Sequence, residues 1–413
     1  MTVNQPTTET ESALLASRKS QPLGEYLRNY LRRVRSGDLG SLPIILGVVV
    51  IAIIFQSQNQ NFLTARNFVN LILQMAGITA IAYGVVYVLL LGEIDLSVAY
   101  VSAVAGVGMT LLLRPPSAWP WWAAIAVALV AAGGIGLLHG LIITTFQVPS
   151  FVVTLAGLLA WNGVVLIIIG GGGTVIIQDK AIIGVANFFL PELWGWIVAG
   201  GALLIYAGLE ISRHSARRRQ GLATRPMAVL LVQLLFLAGV VFAAVYVANQ
   251  DRGVPFVGIL LLVLLIGLSF LATRTKFGRY VYAVGGNKEA ARRAGINVER
   301  IRITVFVMSS MLAGVGGIIL ASRLRSVATD AGGGNLLLNA IAAAVIGGTS
   351  LFGGSGKVSS ALLGALVIAS VENGMGLLGL SSGVKFVVTG LVLLLAVLVD
   401  SVSRRRRAES GLG

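Results

Sequence analysis

Apolar residues run along this chain in long, nearly unbroken blocks rather than in apolar/polar alternation. Twelve blocks stand out, near residues 42–57, 68–91, 96–113, 120–145, 151–169, 193–212, 227–248, 255–272, 304–322, 337–352, 358–374 and 384–402. Most approach the ~20 residues that a helix needs to cross a bilayer. A spanning segment must satisfy its own backbone, so it is a helix or part of a closed barrel. The alternation that marks barrel strands is missing. The pattern therefore predicts an all-α, polytopic membrane protein with about 12 (ten to twelve) transmembrane helices. The first block is short of apolar residues, and 96–113 and 337–352 are short enough to be re-entrant or broken.

Composition agrees: 413 residues are 56% hydrophobic and 11% charged, with mean hydropathy +0.89. Soluble domains carry about 25% charged residues. The net charge of +15 does not point to nucleic acid, because it is clustered. Residues 1–41 hold six Lys+Arg, 213–226 five, 273–303 eight and 403–413 four, which is 23 of the 31. Six spans separate the first two clusters, two the next pair and four the last. All are even numbers, so every cluster falls on one side, and the positive-inside rule makes that side the cytoplasm. Both termini are expected there too. Residues 1–41 read as a polar cytoplasmic arm without the apolar core of a signal peptide. Within it, Tyr26–Val34 has the spacing of an interfacial helix. Residues 403–413 read as a basic cytoplasmic tail. There is no cysteine, hence no disulfide framework, and two histidines make a metal site unexpected.

One charged stretch interrupts the apolar pattern: VGGNKEAARRAGINVER, residues 284–300. Asn287 is a good N-cap. Glu289 falls in the first turn and Arg292 and Arg293 in the last, matching the helix dipole. Gly295 stands where a C′ glycine belongs. The stretch predicts a short, self-capped helix, Lys288–Ala294, with a small-residue face of Ala290, Ala291 and Ala294. Two readings are open on these residues alone: a solvated loop helix, or a rigid element that docks in a partner's groove.

Other polar positions break the apolar runs. Glu93 and Asp95 flank Ile94 between two blocks. They read as a polar turn near a translocation path or as a helix boundary with Asp95 capping the next helix, and the two are compatible. Gly347, Gly348, Gly353, Gly354 and Gly356 interrupt 337–374, either as a discontinuous helix at a transport site or as close packing. The candidate path set is Glu93, Asp95, Ser97, Asn162, Gly347, Gly348, Thr349 and Asn373. Gly170–Gly173 with Thr174 reads as a flexible connection. A lone His139 beside Gly140 reads as a hydrogen-bonded packing residue.

Several stretches resemble, in family order across residues 60–402, the sugar-transporting ABC permeases of the ribose, arabinose and xylose type. They are GEIDLSV (92–98), VPSFVVTLAGLLAWNG (148–163), TRTKFGRYVYAVGGNKEAARRAGINVERIRI (273–303), IGGTSLFGGSGKV (346–358) and VLLLAVLVDS (392–401). One departure is Ala99, where a glycine often follows in that family. An extra apolar pair, 193–248, and the run Asp251-Arg252-Gly253-Val254-Pro255 are similar to the longer D-xylose permeases. The resemblance implies that 42–402 is the permease domain, with 273–303 as its cytoplasmic coupling loop. It implies that 284–300 is the coupling helix that sits on an ATP-binding subunit, through Asn287, Glu289, Ala290, Ala291, Arg292 and Gly295. It further implies a permease homodimer and a periplasmic or extracellular sugar-binding protein, in the inner (cytoplasmic) membrane and in contact with lipid. ATP and Mg²⁺ would lie on the partner subunit, and this chain would bind no cofactor of its own. In keeping with that, Gly356-Lys357 is no P-loop: position 351 is Leu and 358 is Val, so the phosphate and Mg²⁺ pattern fails.

The function expected is alternating-access import of a monosaccharide, D-xylose first and ribose or arabinose as alternatives. An ion-coupled secondary sugar transporter is the competing class. It requires buried ionisable residues for the coupling ion, and Glu93 and Asp95 are the only close pair. A membrane enzyme would need a cluster of acids, histidines or metal ligands that the sequence does not offer.

Overall fold

The computed structural model describes residues 42–222 and 224–392, with Gly24, Arg28, Leu394 and Leu398. The expected arm, its interfacial stretch, the basic tail and the end of the last block otherwise lie outside the described residues. The described chain divides into two compact units, residues 42–189 with 255–392, and residues 190–254.

The larger unit begins with α1 (Leu42–Gln58), α2 (Ala65–Leu90), α3 (Val98–Leu112), α4 (Trp121–Thr145), α5 (Ser150–Ile169) and α6 (Lys180–Asn187). The smaller unit is the helix pair α7 (Glu192–Arg219) and α8 (Met227–Asn249). The larger unit then resumes with α9 (Phe256–Arg274), α10 (Lys276–Gly286), α11 (Lys288–Arg293), α12 (Val298–Leu324), α13 (Leu336–Ile346), α14 (Val358–Leu377) and α15 (Ser382–Val392). Among the described residues, eight helices are long and apolar enough to cross a membrane and four more are apolar but shorter. Each of the twelve apolar blocks overlaps one of them, the last over its described residues.

Local chemistry sets the starts. Thr64, Asp179, Thr275, Asn287 and Asn297 each accept a hydrogen bond from a backbone N–H of the first turn that follows, which satisfies an otherwise orphaned donor. Pro120, Pro149 and Pro255 precede α4, α5 and α9, where a missing N–H costs nothing. The apolar block 337–352 is helical only to Ile346. It stops at Gly347–Gly348, with Gly348 at φ +95°, so α13 is a half-length helix.

The core is built around α12, which packs against α2, α3 and α4. Small residues make this possible. Gly133, Gly136 and Gly140 of α4 face Met311, Phe306 and Ile303, and Gly77 and Gly106 face Gly316 and Gly317. Without a hydrophobic drive between helices in lipid, such close approach supplies the association.

The segment after α5 departs from expectation. It is no plain flexible link. Thr174–Ile176 (β1) pairs antiparallel with Ser326–Ala328 (β2), Val175 opposite Val327. Helix α6 follows, with Ile182 and Ala186 buried. Ser322 Oγ accepts from the Ala186 N–H at 2.8 Å and donates to the Ile183 carbonyl at 3.0 Å. The Gly170–Gly173 run hid this order, because pairing partners 150 residues away leave no local trace.

In the smaller unit, α7 and α8 are apolar and mostly exposed, with Gly195, Leu230, Val245 and Ala248 their only buried residues. Helix α7 runs past the end of its apolar block to Arg219. Arg217, Arg218 and Arg219 in its last turn complement the dipole.

Candidate coupling and translocation sites

Three backbone segments far apart in sequence meet at one end of the larger unit. The Gly354 N–H donates to the Leu90 carbonyl at 2.9 Å. Gly285, near the end of α10, lies against the same carbonyl and against Gly354 N, so a side chain there has no room. Gly92 faces the Phe352 carbonyl, and Gly353 faces both Gly92 and the Gly285 carbonyl. The break after α2, the glycine loop between α13 and α14, and the charged loop helices thus share one backbone clasp. Tyr282 of α10 strengthens it, donating to the Gly356 carbonyl at 2.8 Å.

On this clasp sits α11. Asn287 Oδ1 accepts from the Ala290 N–H at 2.9 Å, as an N-cap should. Gly295 adopts φ +81° and its N–H donates to the Arg292 carbonyl at 3.0 Å. Glu289, Ala290, Arg292, Arg293 and Ala294 are exposed. Ala291 is not: it is 4% exposed and belongs to the core, so the outward face is Ala290 and Ala294 only. Ala290 and Ala294 lie about 40° apart around the axis and Ala291 about 60° further round, and the edge of the buried face falls in that gap. Arg292 bridges Glu289 (3.1 Å) and Glu299 of α12 (2.9 Å), tying the short helix to the central one. Lys288 is held below the ordinary lysine pKa, first by burial and then by Arg302 beside it.

The acids sort themselves by partner. Glu93 forms an ion pair with Arg302 of α12, both side chains 11% exposed. Asp95 is buried. Its Oδ1 accepts from the Ser97 N–H (2.9 Å) and the Ser97 hydroxyl (2.6 Å), capping the approach to α3. Ser97 Oγ also meets His139 Nδ1 at 3.3 Å, and Trp161 Nε1 donates to His139 Nε2 at 3.1 Å. Since Nε2 accepts, the neutral ring carries its proton on Nδ1 and donates to Ser97. The chain Trp161–His139–Ser97–Asp95 locks α5, α4 and the start of α3 together. Asn162, next to Trp161, is half-buried about 18 Å along α5 from Ser150. It makes no side-chain hydrogen bond to this cluster. Gly347 packs on the Ser360 backbone, Gly348 turns the chain, and Thr349 is fully buried with its N–H on the Ala344 carbonyl (3.1 Å).

The opposite end gathers polar side chains around Asn373, which the sequence singled out, and adds Asn67, Gln74 and Asn339, which it did not. Asn373 and Asn67 exchange side-chain hydrogen bonds at 2.9 and 2.7 Å, and Asn373 also donates to Gln74 Oε1 at 3.1 Å. Beside this amide group lies a cavity of about 450 Å³ with Gln74, Arg323, Asn339, Glu372 and Lys385 in its wall. Of the sequence-stated path residues, Asn373 alone borders this region, through Gln74. The available signal was polar side chains inside apolar helices, which at membrane depth are functional candidates by default. Their rotation about the helix axis was the missing piece.

A family model described as the permease component of branched-chain amino acid transport systems matches residues 67–397. The chain belongs to that permease family. It is a membrane transport subunit rather than an enzyme. The permease is 38% identical to the xylose transport system permease protein XylH of Escherichia coli over 375 residues, 90% of this chain and 94% of the relative. It is 35% identical to XylH of Haemophilus influenzae over 380 residues, 91% and 99% of the two chains. It is 32% identical to the ribose import permease protein RbsC of Escherichia coli over 359 residues, 86% and 92%. No solved structure matches it.

Proposed function

We propose that this permease is the membrane-spanning subunit of an ATP-driven ABC importer that carries D-xylose, or a closely related pentose, into the cell. The single observation behind the mechanism is the backbone clasp. Helix α11, rigid and outward-facing, is joined through Gly285 to the breaks after α2 and α13. A push on it reaches two interruptions of the bundle without passing through any flexible linker. The clasp end is the cytoplasmic end, as the basic residues of 273–303 indicate. The ATP-binding subunit docks there, against Asn287, Glu289, Ala290, Arg292 and Gly295, and holds the ATP and Mg²⁺. A sugar-binding protein delivers substrate at the other end. Two copies of the permease form the pathway, and the exposed apolar faces of α7 and α8 meet lipid. Transport is alternating access with no covalent step in this chain.

The sugar assignment leans on relatives named for xylose and ribose over nearly their whole lengths. The close pair of acids that the ion-coupled alternative would use is already occupied: Glu93 is paired with Arg302, Asp95 is bound by Ser97, and neither borders the cavity. Reconstitution tests the reading. Proteoliposomes holding the permease, ATP-binding subunit and binding protein are given labelled xylose outside, with or without ATP inside. ATP-dependent accumulation supports it. Accumulation driven by an ion gradient without the ATPase contradicts it.

A further inference from the structure

The cavity of about 450 Å³ lies within the bundle between α2, α12, α13, α14 and α15. Roughly 300–1,000 Å³ is usual for small-molecule sites. Its chemistry is unusual for a site among apolar helices. Glu372 Oε1 accepts from Asn339 Nδ2 at 2.6 Å, so the acid is bound to a neutral amide although Arg323 and Lys385 share the same wall. Asn339 is 3% exposed and its Oδ1 is buried without a partner. Gln74 gives its carbonyl oxygen to Asn373, which leaves its NH₂ for another acceptor. Phe386 closes the wall with a half-exposed ring.

We infer that this cavity is a monosaccharide subsite on the translocation path, an inference that rests on the sugar-importer reading above. A sugar hydroxyl both donates and accepts. One hydroxyl can donate to Glu372, which Asn339 holds in place, and its neighbours can accept from Arg323, Lys385 and Gln74. The ring's C–H face rests on Phe386. The wall offers donors and an acceptor within one small space, which a polyol matches because each of its hydroxyls does both. Binding here is brief by design, since no hydrophobic enclosure seals the ligand in.

The test uses the reconstituted complex with its binding protein saturated by xylose, so that the binding protein's affinity does not set the rate. Asn339→Ala and Glu372→Gln are expected to lower xylose moved per ATP hydrolysed by about fivefold or more, the effect of one lost buried partner, while ATP hydrolysis stays within about twofold. Unchanged xylose per ATP in both variants overturns the subsite. A measurement that needs no disabled variant stands beside it. The chain lacks cysteine, so Ser382→Cys, at a wall position given no contact with the sugar, carries a unique thiol. Xylose is expected at least to halve its rate of maleimide labelling in the complex. No protection by xylose, or protection by leucine instead, overturns the proposal. Uptake of xylose by the unaltered complex without protection sinks the subsite alone. Absence of any monosaccharide uptake by the unaltered complex sinks the importer reading with it.

Discussion

Arg302, in the second turn of α12, reaches across to Glu93, in the break after α2, and the two side chains form an ion pair only 11% exposed. Arg302 therefore connects the central helix to the interruption that the clasp holds. Lys288 of α11 lies in the field of the same pair. A buried pair contributes little against an apolar replacement, but breaking it strands a charge and costs about 3–5 kcal/mol. Glu93→Gln and Arg302→Met should each lower the thermal midpoint of the purified complex markedly. The double variant should recover most of the loss. A double variant as unstable as the sum of the singles would mean that the two residues act independently.

Neighbouring glycines give a sharper contrast. A Cβ on Gly285 would run into the Leu90 carbonyl, whereas one on Gly286 meets nothing. Gly285→Ala is expected to cost at least the 1–3 kcal/mol typical of overpacking (about tenfold in an equilibrium) and to abolish uptake. Gly286→Ala should leave uptake near normal. Equal tolerance of both would deny the clasp.

The N-cap offers a graded perturbation. Asn287→Ala removes the bond to the Ala290 N–H, worth about 1 kcal/mol. Helix α11 should fray while the bundle stays intact. The expected outcome is reduced sugar uptake per ATP with an unchanged thermal midpoint, and Asn287→Ser or Asn287→Asp should restore uptake.

Sidedness follows from charge. Single cysteines at Arg218 and Asp251 are the only thiols in their variants. An impermeant thiol reagent added to intact cells should label Asp251→Cys and spare Arg218→Cys. Labelling of Arg218→Cys from outside would overturn the orientation.

Much of this was legible along the chain. Helix existence follows from blocks of apolar residues that only lipid or a core accommodates. The short helix at 288–293 was legible because its signals, Asn287, Glu289, Arg292 and Gly295, are all local. The clasp was not. Gly92, Gly285 and Gly354 are separated by many tens of residues, and a glycine's role depends on which backbone it faces. Ala291 illustrates the same limit on a small scale: its residue type permits docking, but its angular position turns it into the core. The Gly170–Gly173 segment misled for a related reason, since its order comes from β2 and Ser322. Glu372 and Asn339 sit 33 residues apart, and only the packing of their helices shows that they meet.

The claim that α11 carries the ATP-driven motion has one direct measurement. Glu289 is exposed in its first turn, where it favours the helix and faces outward. In proteoliposomes with ATP inside and labelled xylose outside, Glu289→Arg should abolish uptake while the complex still assembles, with ATP hydrolysis either lost or no longer stimulated by the loaded binding protein. Uptake and stimulation at the unaltered level in an assembled Glu289→Arg complex would contradict the docking role and leave α11 a solvated loop helix.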